Sequence, residues 1–456
     1  MTDFDGMRVV VIGLARAGSS LALALTKAGA AVTVVDEKPA DSLSMIEQMD
    51  RLAGRGVDIA TSWSGNVEWH TTDLIVPSPG VPRTHPALND ATKRGVPVWS
   101  EIEVAYRLSK APVVAITGTN GKSTVTALTY HILHQAGKGA ILCGNIAGSG
   151  FPETPIATAA SRALESDILV SEVSSFQLEW IDTFRPHACT ITNISEDHLD
   201  RYGSFAEYAA MKKRVHSNQT SEDVAVINAF HQETFDDGLR ARRLTFGEAG
   251  SDVVIDSDRA IMASTGIEIR SEELWAGARH NLENAAAAWL LASSQGADGE
   301  SVPNAIKSFK GIANRMEILG TWDGRRFINN SMCTNPEALR SSIEGCPAPM
   351  VVLAGGVLQA EDLSPLERID ESRLRAAILF GRDGERLAPT FSGKAVPVEV
   401  VEDLATAFSV AIAASFPGDT IILSPGCKSF DQFDDFIARG ECFRSIVREC
   451  IGGSAN

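Results

Sequence analysis

Short apolar runs recur along this chain, each bounded by glycine, proline or charged residues and followed by a stretch with helical apolar spacing. The first, MRVVVI at 7–12, reads as a buried strand. GLARAG at 13–18 turns the chain, and 19–28 reads as a helix. A second strand, 31–35, ends at Asp36, giving a strand–helix–strand unit with an acidic residue after its second strand. The glycine pattern of that turn is sparse. It suits a dinucleotide, a nucleotide sugar or a plain structural unit equally. A further strand, 74–76, leads into Ser78-Pro79-Gly80-Val81-Pro82, a loop placed to face a ligand.

The same alternation continues to the end. Residues 109–112 read as a linker. A second block has strands at 113–116, 168–170, 188–191 and 224–227 and a late helix at 281–293. A third has strands at 350–353, 376–380 and 420–423 and a helix at 404–414. Strands alternating with helices predict an α/β protein. With 456 residues, the chain divides into about three domains. The boundaries fall at 1–110, 111–313 and 314–456.

Composition narrows the function. Hydrophobic residues make up 44% and charged residues 22%, as in soluble globular proteins. A net charge of -17 argues against a nucleic-acid surface, so any bound polyanion must rely on local cations and backbone N–H groups. Seven cysteines without a CxxC pair predict reduced thiols and a cytoplasmic protein. Gly13, Arg16, Gly18 and Lys27 break the early apolar runs, which therefore do not read as a signal peptide. No segment reaches the ~20 apolar residues of a membrane span.

The most specific chemistry lies at Ala115-Ile116-Thr117-Gly118-Thr119-Asn120-Gly121-Lys122-Ser123-Thr124, between the strand 113–116 and a helix predicted over 125–135. Strand, Gly-rich turn and helix make a phosphate cradle, because N–H groups of the turn and helix start point at the anion. Lys122 adds a cation, and Ser123 is placed to reach a phosphate-bound Mg²⁺. Ile116 stands where the strict P-loop pattern wants glycine, so this is a variant of it.

Two acidic or mixed loops follow strands. Glu172 sits just past the strand at 168–171, where α/β folds place ligands. It reads as an Mg²⁺ ligand or as a solvated strand end. Thr192 to Tyr202 gathers Asn193, Glu196, Asp197, His198 and Asp200. Oxygen ligands suit Mg²⁺, and no second histidine stands at zinc spacing. Lys212 and Lys213 lie on a helix predicted over 205–215 and read, by themselves, as a solvated basic face.

Taken together these segments resemble the Mur ligase family, nearest its D-glutamate-adding members. Besides the P-loop, Glu172 and His198 segments, the matching pieces are Gly144-Asn145-Ile146, Ser174-Ser175-Phe176-Gln177-Leu178, His280-Asn281-Leu282-Glu283-Asn284, Asn314-Arg315-Met316-Glu317, Asn329-Asn330-Ser331 with Thr334-Asn335, and Ser424-Pro425-Gly426-Cys427 with Ser429-Phe430-Asp431. They run in family order from end to end.

The resemblance implies a Rossmann-like UDP-binding domain, a central P-loop ATPase domain and a C-terminal Rossmann-like domain. It implies a cytoplasmic step of peptidoglycan synthesis in which ATP activates the carboxylate of UDP-N-acetylmuramoyl-L-alanine as an acyl phosphate and D-glutamate attacks it. ATP and Mg²⁺ are the implied cofactors and a monomer the implied state. By residue, Gly118, Thr119, Asn120, Gly121, Lys122, Ser123, Thr124, Asn281, Arg315 and Asn330 would bind ATP, Arg315 and Asn330 from a domain that closes over it. Ser123, Glu172, His198 and Lys212 would hold metal, Lys212 as a carbamate. Lys122, Glu172, His198 and Lys212 form the catalytic set. Asp36, Ser78 and Asn145 would meet the UDP-sugar, and Thr334, Ser429 and Phe430 the amino acid.

Asn330, Met332 and Gln359 depart from the family, which has an acid and two lysines there. Those lysines help hold the glutamate carboxylates, and each charge-assisted hydrogen bond is worth about 1.5–3 kcal/mol. Lys428, one residue before Ser429, is a candidate to compensate, as is Arg382. L-glutamate or another amino acid is therefore the alternative acceptor. A Mur-like protein without turnover is a second alternative, opposed by the intact catalytic set. A nicotinamide dehydrogenase is a third, with no hydride-transfer constellation to support it.

Overall fold

A computed structural model of the chain describes every residue except 1–2, 42, 236–237, 276–278, 360–361, 393–395 and 453–456. The fold is α/β with three sheets. The residues form two compact units, Met1–Ala147 with Phe151–Lys310, and Gly148–Gly150 with Gly311–Asn456.

The first unit holds two sheets. Its N-terminal sheet is parallel, in the order Val57–Ala60, Ala31–Val35, Arg8–Ile12, Leu74–Pro77. The strand order reverses direction between Arg8–Ile12 and Leu74–Pro77, and ligands bind beyond such a switch point. The first helix runs Arg16–Lys27, three residues earlier at its start than expected. Gly18 lies inside its first turn. A Cβ there would sit 2.0 Å from the Gly13 carbonyl oxygen. That glycine serves close backbone approach, not a turn, which is why sequence placed the helix start too late.

The second sheet of this unit has ten strands. At its centre Val113–Thr117 lies between Asp167–Glu172 and Ala188–Ile191, all parallel. Each residue of Val113–Thr117 is buried, as expected of a strand covered on both faces. Glu172 is the last residue of its strand rather than just past it. One edge continues into three strands, Val253–Asp256, Arg259–Met262 and Glu268–Arg270, joined antiparallel to one another. The expected 205–215 helix is α-helical over Phe205–Lys213 and tightens to a 3₁₀ turn at Arg214–His216. There the Arg214 guanidinium is drawn back to the carbonyls of Glu179 and Ile181, at 2.6 and 2.8 Å.

The second unit is a six-stranded sheet in the order Glu317–Trp322, Arg325–Asn329, Thr420–Leu423, Met350–Gly355, Leu374–Phe380, Val398–Val401. Only the first pair is antiparallel. Two buried apolar clusters include alternate residues of its strands, such as Val352 and Ala354 against Val351 and Leu353. Its switch point lies between Met350–Gly355 and Thr420–Leu423. Among the described residues no helix is long and apolar enough to cross a membrane, and all seven cysteines are unpaired thiols.

Candidate active site

The P-loop follows the central strand, so its neighbours in the sheet decide what faces it. Asp167–Glu172 delivers Glu172 on one side. Ala188–Ile191 delivers the 192–198 loop on the other. That loop is zipped to the P-loop. Thr119 N–H donates to the Asn193 carbonyl at 2.9 Å, and Asn120 N–H to Asn193 Oδ1 at 3.0 Å. Asn193 Nδ2 and Thr192 Oγ1 donate back to the Asn120 carbonyl at 3.1 and 2.6 Å. Gly118 takes φ +141°, and a Cβ there would overlap Thr192 Oγ1. Gly121, at φ +82°, caps the helix Lys122–Gln135, which begins three residues before the expected 125. Both glycines are thus required by backbone shape.

Two lysines converge on one carbonyl. Lys122 Nζ donates to the Gly118 and Thr119 oxygens at 3.0 and 2.9 Å. Lys212 Nζ donates to the same Gly118 oxygen at 2.6 Å. Lys212 is 1% exposed, so it is not on a solvated face. Burial, and then the charge of Lys122, push its amine down to about 7.

Glu172 is 3% exposed. Its Oε1 accepts from Asn145 Nδ2 at 3.0 Å, while its Oε2 has no hydrogen-bond partner. Asn145 N–H also binds the Glu172 carbonyl at 2.9 Å. A buried carboxylate oxygen left unpaired is costly unless something cationic meets it. Ser123 and Thr124 are buried at the helix start, and Asn281 is buried on the helix Arg279–Ser294. His198 is held at φ +51°, a backbone region a non-glycine residue rarely takes. Its ring lies 4.9 Å from that of Phe176. Among the described residues, no three His, Cys, Asp or Glu side chains cluster at metal spacing. The side chains expected at the metal are instead a carboxylate, a hydroxyl, an imidazole and a lysine. Its oxygens, with one carboxylate oxygen unsatisfied, fit a hard divalent cation.

Beside the P-loop opens a cavity of about 110 Å³ lined by Asn120, Asn193, Phe246, His280, Glu283 and Asn284. Asn284 belongs to a motif quoted from the sequence, but nothing in its spacing marked it as lining. At the N-terminal switch point Ser78 Oγ donates to the Gly13 carbonyl at 3.2 Å. Asp36 accepts from the Leu14 and Lys38 N–H groups at 2.7 and 2.9 Å, shaping that loop. A second, narrow cavity joins Ser78 and Pro79 to Phe176, Gln177 and Arg201. Glu101 also lines it. Sequence gave no signal for this residue, whose fully buried carboxyl is pushed up to about 7 by burial.

In the second unit the loops after three parallel strands meet at the switch point. Val357 and Lys428 pair through both backbone bonds, at 2.7 and 2.9 Å. Arg439, 0% exposed, donates to the Ser331 and Cys427 carbonyls at 2.9 and 3.1 Å and to Ser331 Oγ at 3.0 Å. Ser429 is buried, Thr334 half-buried and Phe430 exposed. Asn330 is fully engaged. Its Oδ1 accepts from Met316 N–H at 3.1 Å, and its Nδ2 donates to Ser342 and Ser424 at 2.7 and 3.2 Å. It fixes the turn that carries Arg315. Met332 is half-buried and Gln359 exposed. Arg382 leans on Asp383 at 3.3 Å and is 61% exposed.

Comparison with known proteins gives the family and the fold. The family model described as "Mur ligase MurD-like, N-terminal domain" matches residues 7–100, and "Mur ligase middle domain" matches 116–292. The UDP-N-acetylmuramoylalanine--D-glutamate ligase of Desulfosudis oleivorans is 35% identical over 99% of this chain and 98% of its own. That of Lactococcus lactis subsp. lactis is 36% identical over 97% of each. Among solved structures, the UDP-N-acetylmuramate-alanine ligase of Thermotoga maritima shares the fold with a TM-score of 0.61 at 19% identity, over 97% of this chain and 100% of that one.

Proposed function

Because this chain belongs to the Mur ligase family, we infer that it is an ATP-dependent amide-bond-forming ligase that adds D-glutamate to UDP-N-acetylmuramoyl-L-alanine in peptidoglycan synthesis. The observation that carries the reading is the Gly118 carbonyl bearing both lysines, beside the buried Glu172 whose Oε2 lacks a partner. A bound phosphate would take over the Lys122 bonds now made to the Gly118 and Thr119 carbonyls. Lys122 and the N-terminus of the helix Lys122–Gln135 would then bind the transferring phosphoryl group. Bound Mg²⁺ would neutralise charge there, held by Ser123, Glu172, His198 and a carbamylated Lys212. A lysine amine near 7 is in part neutral at physiological pH, as attack on CO₂ requires. Asn281, Arg315 and Asn330 are assigned to the nucleotide, Asn330 through the Arg315 turn. Asp36, Ser78 and Asn145 are assigned to the UDP-sugar, and Thr334, Ser429 and Phe430 to the amino acid. The reading places the protein in the cytoplasm as a monomer, with domains at 1–110, 111–313 and 314–456.

L-glutamate or another amino acid as acceptor is the second reading, left open by Met332 and Gln359. Met332 cannot donate, and Gln359 donates without charge. The test is phosphate release and ligation with the UDP-sugar donor and a panel of D- and L-amino acids. Release with D-glutamate, abolished in Lys122→Ala at unchanged melting temperature, is expected. A neutral or basic acceptor would sink the glutamate assignment and spare the ligase chemistry. Near-normal turnover in Lys122→Ala would sink both.

A further inference from the structure

Arg201 touches three separate parts of the first unit. Its Nε and one Nη grip both oxygens of Glu179, at 2.7 and 2.6 Å. The same Nη donates to the Val81 carbonyl at 2.9 Å. Its guanidinium lies over the Phe176 ring, 4.2 Å from the centroid. Glu179 is itself buried, and Tyr202 donates to its Oε1 at 2.9 Å. The pair is therefore rigid, since a two-pronged Arg–carboxylate contact fixes orientation as well as distance.

What Arg201 joins matters more than the pair itself. Val81 belongs to the Ser78–Pro82 loop on the side assigned to the UDP-sugar. Phe176 packs against the ring of His198, on the side assigned to the metal. His198 sits in a strained backbone region, which persists only where the surroundings hold it. Phe176 is the ring that faces it most closely, and Arg201 lies over that ring, which also packs on Tyr202. Arg201 and Phe176 thus form one contiguous route by which a shift of the Val81 loop would reach His198.

We propose that Arg201, locked by Glu179, is a positioning residue that couples occupancy of the UDP-sugar site to metal affinity at His198. The proposal rests on the ligase reading and on the side assignments made above. Reciprocity follows from linkage: if the sugar donor tightens metal binding, metal must tighten the donor by the same factor.

Two variants separate coupling from bracing. Arg201→Lys keeps the charge opposite Glu179 but has no planar fork with which to hold Glu179, Val81 and Phe176 together. The double variant R201Q/E179Q removes both charges at once, so neither is left buried alone. The measurement is Mn²⁺ affinity by electron paramagnetic resonance, with and without UDP-N-acetylmuramoyl-L-alanine, beside donor affinity with and without Mn²⁺. In the unaltered protein each ligand should tighten the other by about fivefold or more. In both variants that factor should fall below about twofold while each ligand still binds alone. A folded variant that keeps the full factor overturns the proposal, as does an unaltered protein that binds both ligands independently. Failure of both variants to fold would assign the pair to structural bracing and overturn it equally. Absence of any donor binding by the unaltered protein would sink the ligase reading instead, and the coupling with it.

Discussion

Replacing Lys122 by methionine should move the titration of a different residue, Lys212. Both ammonium groups sit on the Gly118 carbonyl, at 3.0 and 2.6 Å, so they are close neighbours. Two unit charges about 5 Å apart at an effective dielectric constant of about 20 repel by roughly 3 kcal/mol, equal to about two pKa units. Lys212 is depressed from 10.5 to about 7, with burial the larger cause and Lys122 the second. The share owed to Lys122 is therefore less than half, and we expect about one unit back when the charge is removed. The sign is upward, because the ammonium form of Lys212 loses a repulsion. Carbamate formation needs the neutral amine. Its carbon-13 signal under labelled bicarbonate should thus reach half-maximum near pH 7 in the unaltered protein and about one unit higher in Lys122→Met. Stability carries the same sign. Between about 7 and 10.5 the unfolded chain binds more protons at this site, so stability rises with pH across that window, and the lower edge of the window moves up in the variant. A midpoint that shifts by less than about 0.3 units, or downward, in a folded variant would refute the shared-carbonyl geometry.

Gly118→Ala should destabilise the protein by about 2–6 kcal/mol, from an unfavourable φ and overlap with Thr192, and should remove nucleotide binding; denaturant unfolding and nucleotide titration check this. Glu103→Gln should cost about 3–5 kcal/mol, because the buried carboxylate pairs with Arg107 at 2.7 Å and accepts from Asp182, Thr183 and Phe184 N–H groups. Burial works to raise the Glu103 carboxyl, yet these bonds hold it below its ordinary 4.5, so its stabilisation is present above that pH and lost as the pH falls below it. Acid unfolding of the variant should accordingly begin from a lower plateau with a shallower slope. Met332→Lys with Gln359→Lys should tighten glutamate binding by tenfold or more, about the worth of one charge-assisted hydrogen bond; calorimetry showing no change would place the acceptor carboxylates elsewhere.

Much of the site was legible because chemistry and periodicity coincide there. The apolar strand at 113–116, the glycine turn and the helix locate the phosphate cradle without any coordinates. Strands 31–35, 188–191 and 420–423 agree with the structure to the residue, since each is a short run of apolar residues and threonine closed by a polar residue. What sequence could not supply is lateral order. Nothing in the chain says that Asp167–Glu172 and Ala188–Ile191 flank Val113–Thr117, and that order is what brings Glu172 and Asn193 to the P-loop. Burial also escaped notice. Lys212 reads as surface because lysine usually is, and Glu101 reads as a helix-start acid with no distinguishing spacing. Gly18 looked like punctuation but is a packing residue. Asn330 reads from sequence as a nucleotide contact, and the structure adds that its amide ties the Met316 turn to Ser342 and Ser424.

The zipper between residues 119–120 and 192–193 has a thermodynamic consequence. A glycine-rich segment of an unliganded protein ordinarily loses much conformational entropy when a ligand fixes it. Here hydrogen bonds joining Thr119 and Asn120 to Thr192, Asn193 and Ser195 already fix it, including the Ser195 N–H to Thr119 Oγ1 contact at 3.1 Å. A triphosphate therefore meets a cradle whose ordering was completed during folding, and more of the contact energy remains as affinity. The cost was moved, not removed: the chain met it once, in the side-chain and backbone order of the 192–195 loop. Loosening that loop should weaken nucleotide binding through entropy alone, with the phosphate contacts themselves unchanged.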